Sequence, residues 1–198
     1  MGMSDVKEKT KSFGTINPKE RCKLKCIGSA RHDWKRKDAS GNVDESLGKT
    51  LAMKLELQID DPDIELSEPD TIPGRITDYL ISLEKHPGYK NGEPSMSAPN
   101  KAFQLEGMLG FEPFYVDDSG TPVPAETTIT GKPKAPKGSH RKFNPSFIEA
   151  YFTKGEDGNE EPKFGVWESA EFYAEIEIEE GSEEYGNKNS IKKYLKKE

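Results

Sequence analysis

The stretch EFYAEIEIEE, residues 171–180, alternates apolar and acidic side chains without a break. Successive side chains of an extended chain point to opposite sides. Phe172, Ala174, Ile176 and Ile178 therefore share one face, and Glu171, Tyr173, Glu175, Glu177 and Glu179 share the other. Such a segment is a half-buried strand. A polar turn follows, and then NSIKKYL, where Ile191 and Leu195 face inward and Lys192 and Tyr194 outward in a second strand that closes a hairpin. Ile191, Tyr194 and Leu195 also lie at helical spacing, which leaves a final helical turn as the alternative. The outward rows are thus glutamate on one strand and lysine on the next. Either the lysines border a groove for an anion, or the two rows pair across the hairpin.

The same period recurs upstream. Residues 20–29 place Cys22, Leu24 and Cys26 on one face, and TLAMKLELQI sets Leu51, Met53, Leu55, Leu57 and Ile59 against Ala52, Lys54, Glu56 and Gln58. RITDYLISLE is a third strand. Helical spacing appears once, in SAPNKAFQLEGMLGF, where Ala102, Leu105, Met108 and Leu109 share a face, Ser97 suits the cap, Pro99 the first turn and Gly110 the stop. Residues 111–145 are rich in Pro, Gly, Thr and Lys and read as irregular, and two further strands are expected around the turn at 155–159. The order predicts a mainly β chain: an OB-fold-like antiparallel barrel of five or more strands, with one short helix and long loops. An open sheet or a sandwich fits these strands nearly as well. Residues 1–18 read as a flexible arm, and 19–198 as one domain with basic loop insertions near 29–48 and 111–145.

The 198 residues carry a net charge of −7, with 32% hydrophobic and 33% charged side chains. That balance speaks against a uniformly basic nucleic-acid coat, but the charge is segregated. Residues 7–37 hold eleven Lys or Arg against three acids, residues 156–184 hold twelve acids and one lysine, and between Glu126 and Glu149 there are five cations and no acid. A basic loop on an acidic body is either an anion-binding surface or solvated charge. Cys22 and Cys26, four apart on one strand, are too distant to bridge and read as reduced, buried thiols. The three histidines are scattered, so no metal site or cofactor is expected. No run is long enough for a signal-peptide core or a membrane span, and a cytoplasmic protein is expected.

The runs GKTLAMKLELQI, PGRITDYLISL and PNKAFQLEGMLGF, with the closing EFYAEIEIEEGSEEYGNKNSIKKYL, resemble in order and spacing the phage-encoded single-stranded DNA-binding-like proteins of recombination and replication gene clusters. The carrying residues are Gly74, Arg75, Asp78 and Leu80, the helix from Asn100 to Leu105, and the closing element from Asn189 to Leu195. The resemblance implies an OB-fold-like barrel that binds single-stranded DNA without sequence preference, in a bacterial host cell, with replication or recombination proteins as partners. The long loops at 28–48 and 111–142 depart from that pattern. The acidic C-terminal tail of such proteins has no counterpart in KKYLKKE, so recruitment through a tail is not implied.

Binding a single strand requires cations for phosphates and exposed rings for bases. Three loop segments combine them: Arg31, Trp34, Lys35, Arg36 and Lys37; Lys85, Tyr89 and Lys90; and Lys134, Lys137, Arg141, Lys142 and Phe143. Lys192 extends the set on the closing element. Trp34, Tyr89 and Phe143 are the expected stacking platforms. Each segment also has a plainer reading, as a tryptophan tucked onto the core, a polar turn and a solvated loop. No catalytic signature stands out, and an enzyme is not expected. The acids Asp60, Asp61 and Asp63, the best set for a metal-dependent nuclease, read as a proline-broken loop. The alternative is a phage accessory protein that binds a host or phage protein partner.

Overall fold

The computed structural model describes residues 13–35, 37–38, 40–47, 49–50, 52–69, 71–81, 88–90, 93–95, 100–131, 133–181 and 186–197. Its framework is an antiparallel sheet of five strands: β1 (Lys19–Arg31), β2 (Ala52–Ile59), β3 (Arg75–Ile81), β4 (Glu171–Glu179) and β5 (Lys188–Tyr194). Between β3 and β4 lie helices α1 (Asn100–Met108) and α2 (Pro145–Tyr151). The strand order across the sheet is β5-β4-β1-β2-β3. The chain is mainly β, and the sheet curls into a half-barrel that brings its two edge strands, β3 and β5, near each other.

Alternation sets the two sides of this sheet. Leu24, Cys26, Leu55, Leu57, Ile76, Phe172, Ala174, Ile176 and Ile191 point inward and are buried. The inward row of β2 is closely packed, so Leu55→Ala would cost roughly 2–5 kcal/mol through lost burial and the cavity left behind. Both thiols are buried and unbridged, and burial pushes each up to about 11.

Side chains rather than backbone join the two edge strands. The Tyr194 hydroxyl donates to the buried Asp78 carboxylate at 2.8 Å, and Lys101 of α1 approaches the other Asp78 oxygen at 3.3 Å. The Tyr194 N–H donates to the Gln104 carbonyl oxygen at 3.1 Å, so α1 lies along this seam. Burial, then the Asp78 charge and hydrogen bond, raise the Tyr194 phenol well above its ordinary value and keep it protonated.

The closing element is a strand, as its alternation predicts, but one expected orientation changes. Ile191 and Tyr194 are both buried, while Lys192 and Lys193 are exposed. The register shifts there, with Glu175 opposite Lys193 and Ile176 opposite Ile191. A bulge adds one residue to β5, turns Tyr194 inward and sets both lysines against Glu175.

Two other segments differ from expectation. From Phe13 the chain is bound rather than free, because Phe13–Gly14 pairs in parallel with Ile72–Pro73 and Ile16 is wholly buried. The buried Asn189 clamps this strap by accepting from the Ile16 N–H at 2.8 Å and donating to its carbonyl at 3.0 Å. Gly14 passes so close to Thr71 that a Cβ there would lie 2.3 Å from its hydroxyl oxygen, so only glycine fits. The stretch read as irregular at 111–145 contains a small sheet, with Phe114–Val116 between Pro122–Val123 and His140–Lys142, and a hairpin pairing Glu126–Thr127 with Pro133–Lys134.

Helix α2 stands where the first of two strands is expected to begin. Asn144 caps it by accepting from the Ser146 N–H at 3.0 Å, and Pro145 opens it, which is a strong helix start. Phe147 anchors it in an aromatic cluster with Phe111, Phe143, Tyr151, Phe152 and Trp167. No helix among the described residues is long and apolar enough to cross a membrane.

Candidate functional site

Of the eight cations expected to contact phosphate whose side chains are described, five have partners within the protein. Arg31 lies between Asp33 at 2.8 Å and Asp157 at 2.7 Å, with Glu161 at 3.5 Å. Lys35 pairs with Glu45 at 3.0 Å, Lys134 approaches Glu126 at 3.8 Å, and Lys192 pairs with Glu175 at 2.6 Å. Lys37, Lys137 and Lys142 are exposed and have no ion-pair partner among the described residues. Trp34 pairs through its backbone with Thr50, and Tyr89 and Lys90 pair with Pro94 and Glu93 in a short hairpin. Arg36 and Lys85 lie outside the described residues.

Two expected contacts are corrected. Phe143 is only 8% exposed and packs between Phe103, at 4.6 Å between ring centroids, and Phe147, at 5.9 Å, so its faces are covered and it cannot serve as a stacking platform. Arg141 is turned into the protein, where its guanidinium bonds the wholly buried Glu106 and lies over the rings of Phe103 and Tyr115 at 4.6 and 5.6 Å. Burial pushes the Glu106 carboxyl up, against the opposing pull of the Asn144 N–H and of Arg141. This assembly fastens the small sheet to α1, and its charge is spent there.

Three of the four glutamates in the outward row of β4 are paired in place. Glu171 pairs with Lys23 at 3.1 Å and with Lys197, Glu175 with Lys192 and with Lys193 at 2.8 Å, and Glu179 with Lys188 at 3.4 Å. Hydrogen bonds from these lysines hold Glu171 and Glu175 below the ordinary carboxylate range. Pairing across the hairpin is therefore the use of the two facing rows. The Asp60–Asp63 stretch is likewise accounted for. Asp61 pairs with Lys19 at 2.8 Å and accepts from the Lys23 and Asp63 N–H groups at 3.1 and 3.0 Å. Burial alone would raise Asp61, and these contacts outweigh it and lower it. Among the described residues no group of three or more His, Cys, Asp or Glu is placed to hold a metal ion.

The outward side of β1, β2 and β3 is different. Register places Lys25, Gln58 and Arg75 in one row across three strands, Glu56 beside Thr77, and Lys54 beside Tyr79. Lys25 and Arg75 are exposed, and neither has a hydrogen-bonded or ion-pair partner among the described residues. Glu56 is the one acid in these rows; it is bonded to Lys54, which lowers it. Tyr79 is 36% exposed, and His32, from the loop after β1, lies against it at 5.0 Å between centroids with a 54° tilt. The His32 N–H donates to the Ala52 carbonyl at 2.8 Å, which fixes the start of that loop on β2.

Tyr79 and Arg75 are four residues apart on one strand, roughly 13 Å at ~3.3 Å per residue. The face thus offers a ring at one end, cations at the other, and a polar strip between. None of Lys25, Lys54, Arg75 or Tyr79 is among the expected contacts, which come from three loop segments and the closing element. The signal was available in RITDYLI, whose alternation puts Arg75, Thr77 and Tyr79 on one side. Compared with the profiles of known protein families, with curated proteins and with solved structures, the chain matches none.

Proposed function

We propose that the protein binds single-stranded DNA on the outward side of β1–β3, as a sequence-independent binder in phage DNA replication or recombination. The observation that carries this reading is the exposed Tyr79, with His32 against it, on the same surface as Lys25 and Arg75, whose side chains are in no ion pair among the described residues. Stacking on a ring is sequence-tolerant because every base has a π-face, and unpaired cations are the ones free to take up phosphates. The strand order supports an oligonucleotide-binding barrel. Three strands form a meander, a helix follows the third, and the fourth returns beside the first. Folds of that kind bind oligonucleotides on the face of strands two and three and on the neighbouring loops. Trp34 and Lys37, which follow β1 in sequence, are included in the proposed surface.

The test is titration with oligo(dT) at low and high salt, beside the same titration with duplex. Salt-sensitive binding of the single strand, much weaker with duplex, is expected. A salt-insensitive interaction, or none by gel shift, overturns the reading. A second reading, an accessory protein that docks on a host or phage protein, is favoured by Phe164 and Ile129, large apolar side chains that are 94% and fully exposed. Isolated exposed apolar residues are common, so this reading rests on their size and exposure together. Capture of the same partner before and after nuclease treatment, lost on Phe164→Ser, would favour it over DNA binding.

A further inference from the structure

A cleft of about 560 Å³ lies where the bound N-terminal strap crosses the start of β3 and the start of β5. Phe13, Thr15, Arg75, Asn187, Lys188 and Asn189 line it, together with Gly14 and Gly74. No acid is among the described residues that line it, in a chain with 36 Asp and Glu against 29 Lys and Arg. Its wall is fixed by the Asn189 clamp on Ile16, by the Gly74 N–H donating to the Gly14 carbonyl at 3.0 Å, and by the Ser67 N–H donating to the Thr15 carbonyl at 2.9 Å. Phe13 is 68% exposed, a large ring held at the mouth by strand pairing rather than packed into the core.

We propose that this cleft is a nucleotide subsite, which takes a phosphate between Arg75 and Lys188 and a base against Phe13. The proposal rests on the reading above and extends it, since Arg75 belongs both to the sheet face and to the cleft and so makes the two continuous. Two cations beside a single ring, with no acid among the described lining residues, suit a ligand that joins an anion to a flat apolar body. Among the described residues the one ion-pair partner of these cations is Glu179, 3.4 Å from Lys188 and itself 54% exposed, an ion pair weak enough for a phosphate to displace. A strand that starts on Tyr79 and follows β3 toward Arg75 runs into this cleft without crossing the glutamate row.

The experiment uses Phe13→Ala and Lys188→Gln, both exposed and outside the sheet face, with Tyr79→Ala as the control for that face. In oligo(dT) titrations Phe13→Ala is expected to weaken binding by about tenfold, the lower part of the range for loss of one stacked base. Lys188→Gln is expected to make the salt slope shallower by about 0.7, the value for one phosphate contact on a single strand. If the wild type binds and Tyr79→Ala weakens it, while neither cleft variant changes affinity or slope, the subsite is overturned and the sheet-face reading stands. If the wild type binds no oligomer, the sheet-face reading falls, and thymidine monophosphate decides the cleft. Movement of the Gly14 and Gly74 amide resonances, abolished by Lys188→Gln, retains it as a site for a free nucleotide. Resonances that stay in place overturn it.

Discussion

Residues 134–143 and the outward side of β3 carry the same ingredients, cations beside aromatic rings, and put them to opposite uses. In the first, Arg141 and Phe143 point into the protein, where one is bonded to Glu106 and the other is packed between two phenylalanines. In the second, Arg75 and Tyr79 point to solvent from a strand whose other side is buried. Composition is the same in kind; direction differs. A cation is available to a ligand only if the fold has not already given it a carboxylate, and a ring only if its face is uncovered.

The sharpest test of this contrast is Arg141→Ala. It leaves Glu106 buried without its cation, and a buried charge stripped of its partner costs roughly 3–5 kcal/mol. Urea unfolding should show that loss, while oligo(dT) affinity of the folded protein stays at the wild-type value. Weaker binding by fully folded Arg141→Ala would instead place residues 134–143 in the interface and break the comparison. Tyr79→Ala should do the reverse, costing roughly 1–3 kcal/mol of binding free energy as a stacked base is lost, with little change in the unfolding midpoint. Unchanged affinity would remove Tyr79 from the surface.

Lys25→Gln and Arg75→Gln come next in size. Each should reduce the slope of log affinity against log salt by about 0.7, whereas Lys35→Gln, whose partner is Glu45, should reduce it by less. Equal effects from all three would mean that internal pairing does not withhold a cation from DNA.

A fourth test concerns Arg31 through its partner. The side-chain and backbone hydrogen bonds of Asn159, then that of Arg31, lower the Asp157 carboxyl from 3.8 to about 2. A depressed folded-state value stabilises the protein fully above the unfolded value. The contribution is therefore complete above about pH 4 and fades as pH falls toward about 2. In Asp157→Asn the acid limb of the stability profile should be flatter over that window. An unchanged limb would mean that Arg31 is not held there. The smallest effect is expected from Lys192→Gln, because Glu175 keeps Lys193 at 2.8 Å. Affinity should not move, and a clear loss would return Lys192 to the binding surface.

Much of the framework is legible in the chain itself. A period of two over 171–179 and over 52–59 has no other low-energy solution than strands with one buried side, and Leu55, Leu57, Phe172 and Ile176 are buried as that period requires. The start of α2 is legible too, since Asn144 followed by Pro145 is a helix-opening pair, but the apolar run after it also suits a strand. The bulge that turns Tyr194 inward is not legible, because it depends on which residue of β4 faces which residue of β5.

The amino-acid order by itself determined the long strands of the main sheet, the apolar side of most of them, and that cations and rings cluster in particular stretches. These are local properties, set by side-chain period and turn chemistry over a few residues. Tertiary structure alone decided which cations remain without a partner. Arg31 meets Asp157 across 126 residues of chain, Arg141 meets Glu106 across 35, and Tyr194 meets Asp78 across 116. A charge is neutralised by whatever lies a few ångströms away in space, and nothing in the local pattern carries that distance. Lys25 and Arg75 are left out of ion pairs among the described residues for the same reason: Glu171, opposite Lys25, pairs with Lys23 and Lys197, and Glu56, near Arg75, pairs with Lys54.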